Sequence, residues 1–147
     1  MKTKGLNELA KEFHQFQIDA GFTDSNITQR LMLVVSEISR AFEAYRKERY
    51  ADIDRFEKGV EGDTNRRNDH INLVLPVRSP SLILTEEEIY KRNFEACIKD
   101  SLQDEVGDAI IRLLAFCGEN DIDIEKHVAL KYKYNQLRGF KYGGKKF

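Results

Sequence analysis

Apolar residues return every three or four positions in several separate stretches of this chain, and sustained spacing of that kind favours amphipathic α-helices. Leu6, Leu9, Ala10, Phe13, Phe16 and Ala20 predict a first helix, ended by Gly21, a residue that tolerates the left-handed turn beyond a helix. Asp24, Ser25 and Asn26 offer side-chain oxygens to cap a second helix. That helix carries Ile27, Leu31, Val34, Val35, Ile38, Phe42 and Tyr45 and is expected to run to about Tyr50. Thr85 and Glu88 have capping-box spacing, and Ile89, Phe94, Ile98, Leu102, Val106, Ala109, Ile110, Leu113 and Leu114 extend the pattern to about Phe116. A break near residues 99–101 would divide this run in two, and Gly118 marks its stop. Asp121 or Asp123 caps a last helix reaching about Arg138, before a loose basic tail with Gly139, Gly143 and Gly144.

The stretch from about 51 to 84 reads differently. Residues 51–69 are charged, contain Gly59 and Gly62, and suggest a loop with room for one helical turn. Residues 70–84 hold two apolar runs around Pro76 and Pro80, the pattern of either a short edge β-hairpin or a pinned loop. The expected architecture is one all-α domain over 1–147, a four- to five-helix bundle with a proline-bearing insert.

Charge and composition exclude several classes. Lys and Arg number 24 against 25 Asp and Glu, a net charge of -1, which argues against general binding to nucleic acid or anionic membrane. No apolar run approaches the ~20 residues a bilayer span needs. The charged first eight residues lack the apolar segment of a signal peptide, so a cytoplasmic location is expected. Cys97 and Cys117, both within helical patterns, fit reduced thiols.

The chemistry lies in carboxylates among apolar residues. Glu105 and Asp108 stand three apart on one helix face, with Asp104 four before Asp108. Leu102, Val106, Ala109 and Ile110 surround them, which points the acidic face toward the core. Glu37 is similarly embedded between Val35 and Ile38. Carboxylates in such settings are usually paired or metal-bound, and convergent acids make an oxygen-only site suited to Mg²⁺. Spacing alone favours the plainer alternative, a solvated helix face carrying chance acids. On the last helix Lys131, Tyr134, Asn135 and Arg138 form one stripe, followed by Lys141, Lys145 and Lys146, a plausible phosphate grip.

These stretches together resemble the all-α nucleotide pyrophosphohydrolases of the MazG-like family. Residues 33–46 are similar to the family's first metal-binding helix, residues 104–113 to its second acidic element, and residues 122–145 to its closing helix and tail. The resemblance implies hydrolysis of a nucleoside triphosphate to monophosphate and pyrophosphate. It implies Glu37, Glu105 and Asp108 as catalytic metal ligands for Mg²⁺ (or Mn²⁺), with Asp104 as a stand-in fourth. It implies Lys131, Tyr134, Asn135, Arg138, Lys145 and Arg40 as substrate-binding residues, and assembly as a dimer or tetramer. Arg40 stands where the family carries a second glutamate, and arginine remains protonated and cannot ligate metal. Glu43 does not replace it, lying about 240° around the helix from Glu37. Glu37 and Glu105 are also 68 positions apart, more than compact members show, and Tyr142 occupies a place where histidine is common. The implied alternative is a nucleotide-binding or scaffold relative without catalysis, in which Arg40 pairs with Glu37 or with phosphate.

Few helices leave part of the apolar surface of the first two uncovered, notably Phe13, Phe16, Leu31, Val34, Val35, Phe42 and Tyr45. Two-fold pairing of copies would bury it, unless residues 70–84 fold over it in cis.

Overall fold

A computed structural model describes residues 4–23, 26–72 and 83–138. Among the described residues six helices follow in order: α1 (Leu6–Asp19), α2 (Ile27–Arg46), α3 (Ile53–Asn72), α4 (Glu86–Cys97), α5 (Leu102–Glu119) and α6 (Ile124–Gln136). No strand occurs among the described residues, so the all-α class holds. Of residues 70–84, expected as a short hairpin or a pinned loop, 70–72 lie in α3 and 73–82 fall outside the described residues.

One element is a correction. Residues 51–69 were expected as loop, but α3 runs twenty residues from Ile53 and takes in His70, Ile71 and Asn72, giving six helices rather than four or five. This helix is polar because it buries little. Phe56 meets the rings of Tyr90 and Phe94 edge-on, with centroids 5.3 and 6.4 Å away. Asp63, also buried, receives hydrogen bonds from Arg92 and from the Asn93 amide. Gly59 is at home there, since a Cβ would strike the Asn93 side chain.

The chain forms two compact units. Residues 37–107 make up one, with the latter part of α2, all of α3 and α4, and the start of α5. The capping box at Thr85 starts α4 as expected. The run then breaks between Cys97 and Leu102, where Asp100 takes a left-handed φ of 59°. Three hydrogen bonds tie the chain after α2 to that break: Leu102 N to Arg49 O (2.9 Å), Asp52 N to Cys97 O (3.0 Å) and Ala51 N to the Gln103 side chain (3.0 Å). They fix the second half of α2 beside the first turn of α5.

The other unit comprises residues 1–36 and 108–147. Its core joins Ala10, Leu114 and Cys117, flanked by Leu9, Phe13, Ile122 and Ile124. Burial pushes the Cys117 thiol above its usual range. Asn7 binds α1 to the start of α6, donating its amide to Asp123 (2.8 Å) and its backbone N–H to Glu125 (3.1 Å). Asp123 also caps α6, accepting from Lys126 N at 3.1 Å. Gly118 is not the end of its helix: α5 continues to Glu119, and glycine is required because a Cβ would collide with the backbone of Ala10.

The two faces of α2 reverse the usual assignment. Its inward positions are Arg30, Glu37, Ala41 and Ala44, with Val34 half-buried. One position later each time stand Leu31, Val35, Ile38, Phe42 and Tyr45, all exposed, in the alternating four–three spacing of a helix-pairing seam. No helix among the described residues is long and apolar enough to cross a membrane.

Candidate functional site

The buried face of α2 carries the small residues Ala41 and Ala44, and Glu37 lies on the same face. It is only 1% exposed, the largest fully buried side chain after Ile89. Across from it, Glu105 occupies the first turn of α5, is also buried, and offers an oxygen within 4.8 Å of one from Glu37. Asp108 follows one turn along α5 and presents an oxygen within the same distance of Glu105; it is the most open of the three acids.

Two buried carboxylates so close would repel strongly without a counter-charge. Arg40, one turn beyond Glu37 on α2, provides it. Its guanidinium pairs with Glu37, and its Nε lies 3.0 Å from Glu105 Oε2. The pairing with Glu37 anticipated for Arg40 is therefore present, and Glu105 shares it. Arg40 itself remains 54% exposed at its side chain, so one end of this charge cluster faces water.

Asp104 is engaged at the start of α5. Its Oδ2 accepts from the Asp100 backbone N–H at 2.8 Å, while its own N–H donates to Ser101 Oγ at 3.2 Å. It caps the break before α5. On α6, Lys131 Nζ stands 4.9 Å from the centre of the Tyr134 ring, and the guanidinium of Arg138, just past the helix, stands 5.7 Å from it, both within cation–π range. Asn135 is half-buried on the same helix. Lys145 and Tyr142 fall outside the described residues.

A pocket of about 310 Å³ opens in the unit of residues 1–36 and 108–147, and Asp108 lines it. Around it stand Phe16 and Gln17 of α1, Phe22 after the α1 turn, Gln29 and Arg30 of α2, and Arg112 of α5. Phe16 and Phe22 are 67% and 65% exposed, unusual for phenyl rings. Arg30 is buried with three partners: its Nε forms an ion pair with Glu119 at 2.7 Å, one NH group reaches Gln17 Oε1 at 2.6 Å, and the other the Phe22 carbonyl at 3.3 Å. Sequence reading missed this pocket. Phe16 looked like part of a core stripe, and the one available signal was Arg30 lying in register with Val34 and Glu37 on the inward face.

No family model, no curated protein and no solved structure matches the chain.

Proposed function

We propose that the chain is a divalent-cation-dependent hydrolase that cleaves a nucleoside triphosphate to the monophosphate and pyrophosphate. The observation that carries this reading is the convergence of buried Glu37 and Glu105 from two helices, with Asp108 one turn on. With Arg40 turned aside, the buried acids would need another cation, and three carboxylate oxygens suit Mg²⁺, with Mn²⁺ as the alternative. Bound on Glu37, Glu105 and Asp108, the ion would offset triphosphate charge and supply an acidified water for attack at the α-phosphorus.

Arg40 acts at the same place. Its long, half-exposed side chain can turn outward, and the guanidinium then meets phosphate oxygens two at a time. Lys131 and Arg138 are the cations proposed for the departing pyrophosphate. Two copies of the chain are proposed to pair through Leu31, Val35, Ile38, Phe42 and Tyr45, since an exposed seam of that length on one helix calls for an apolar partner.

Pyrophosphate release from a panel of nucleoside triphosphates with Mg²⁺ tests the reading. Glu105→Gln should abolish release while leaving helical content unchanged, and release that persists in this variant would sink the metal assignment. A second reading draws on Arg40 lying against both Glu37 and Glu105: the guanidinium is a permanent substitute for metal, and the chain binds nucleotide without turnover. Arg40→Glu separates the two. Stronger Mg²⁺ binding and faster turnover would follow from competition at Glu37, whereas weaker nucleotide binding would follow if Arg40 is the phosphate ligand.

A further inference from the structure

The pocket beside Asp108 is built to hold one amide in one orientation. Glu119 of α5 fixes Arg30 of α2, and Arg30 in turn donates to the Gln17 side-chain oxygen at 2.6 Å. An amide whose oxygen is taken by a guanidinium cannot flip without losing a charge-assisted hydrogen bond. Its –NH₂ is therefore the end left to meet a guest. A fixed donor selects an acceptor and rejects another donor, because the mismatched pair would leave polar groups unsatisfied. Phe16 and Phe22 add two exposed aromatic faces on which a flat heterocycle can stack. Gln29 contributes a second amide, and the volume of about 310 Å³ lies at the lower end of small-molecule pockets.

We propose that this pocket seats a nucleobase and selects bases whose edge presents a carbonyl oxygen to Gln17 over those presenting an amino group. The assignment rests on the nucleotide reading above and deepens it, since it names the part of the nucleotide that this pocket would take.

Free nucleosides test the pocket without phosphate, metal or turnover. Inosine and adenosine differ at one edge, carbonyl against amino, and uridine and cytidine differ likewise. Titrated into the full ¹⁵N-labelled chain, inosine and uridine should shift the Gln17 side-chain NH₂ resonances and bind about tenfold more tightly than adenosine and cytidine. Gln17→Glu keeps an acceptor for Arg30 but replaces the donor with a second oxygen, so the preference should reverse. Phe22→Ala removes an exposed ring and should weaken all four nucleosides alike. Equal binding of all four, or shifts that spare Gln17 and Phe22, would overturn the proposal. Base selection without pyrophosphate release would refute hydrolysis and leave the pocket standing. Release with no base preference would do the reverse.

Discussion

Replacing Arg40 with methionine keeps a long stem and removes the charge, and the metal-free protein should lose stability while responding to Mg²⁺ more strongly than the parent. The size of the loss follows from the geometry. Arg40 Nε lies 3.0 Å from Glu105 Oε2. At an effective dielectric of ~20, a separation near that value corresponds to a gross attraction of about 5 kcal/mol. Water at the half-exposed guanidinium and the cost of desolvating the glutamates offset much of this. Losing one partner of a fully buried pair costs ~3–5 kcal/mol, so the exposed partner here scales the expectation to about 2 kcal/mol. For a chain of this size that corresponds to a melting temperature lower by ~4–8 °C. Without Arg40, the facing carboxylates should take up a cation readily. Mg²⁺ at ~100 times its Kd contributes about 2.7 kcal/mol, enough to cancel the deficit. Differential scanning calorimetry in EDTA and then in excess Mg²⁺ reads both effects. A variant that melts with the parent in EDTA and ignores Mg²⁺ would refute the argument.

Other perturbations probe separate parts of the molecule. Gly118→Ala drives a methyl into the Ala10 backbone, which cannot move aside as a side chain would, and should cost about 1–3 kcal/mol in urea unfolding; a neutral result would mean that the α1–α5 approach is looser than described. Hydrogen bonds from Arg92 and then Asn93 hold the Asp63 carboxyl below the usual range. Its contribution is therefore complete at neutral pH and fades as pH falls from about 4 through the lowered folded value. Asp63→Asn should be less stable by about 1–3 kcal/mol at pH 7 and show a flatter acid limb, measured by unfolding at several pH values. Phe42→Glu, on the exposed seam of α2, should leave the fold intact and reduce the mass in light scattering to that of a 17.1 kDa monomer; a monomeric parent would dispose of the pairing.

Helix positions were legible wherever local chemistry and apolar period agreed. Thr85 with Glu88, Asn26 ahead of α2 (its Oδ1 accepts from Gln29 N at 2.9 Å) and Asp123 ahead of α6 are caps written in the sequence. The α4–α5 break fell where the pattern placed it. The third helix was hidden because beyond the aromatic contact of Phe56 its buried anchor is polar: Asp63 is held by Arg92 and Asn93, and no apolar period records that. At the site, Glu37, Glu105 and Asp108 could be picked out because acids among aliphatic residues stand out against their neighbours. The double pairing of Arg40 depends on how two helices meet, and single-helix geometry carries no trace of Glu105. The pocket was invisible for a similar reason, since Phe16 repeats with core spacing yet lies open to solvent.

The reversed faces of α2 carry a consequence for mutational tolerance. Conventional intuition would protect its large apolar residues and regard alanine as a neutral filler. Here Ala44 has no accessible surface and Ala41 almost none, so even one added methylene at either position must displace the atoms that cover it. Leu31, Val35 and Tyr45 have open space around them within a single copy of the chain. A saturation scan read out by folding alone should therefore find the helix least forgiving at its smallest residues. The same library read out by assembly should find it least forgiving at its largest, and the positions that exchange rank between the two screens would trace the seam residue by residue.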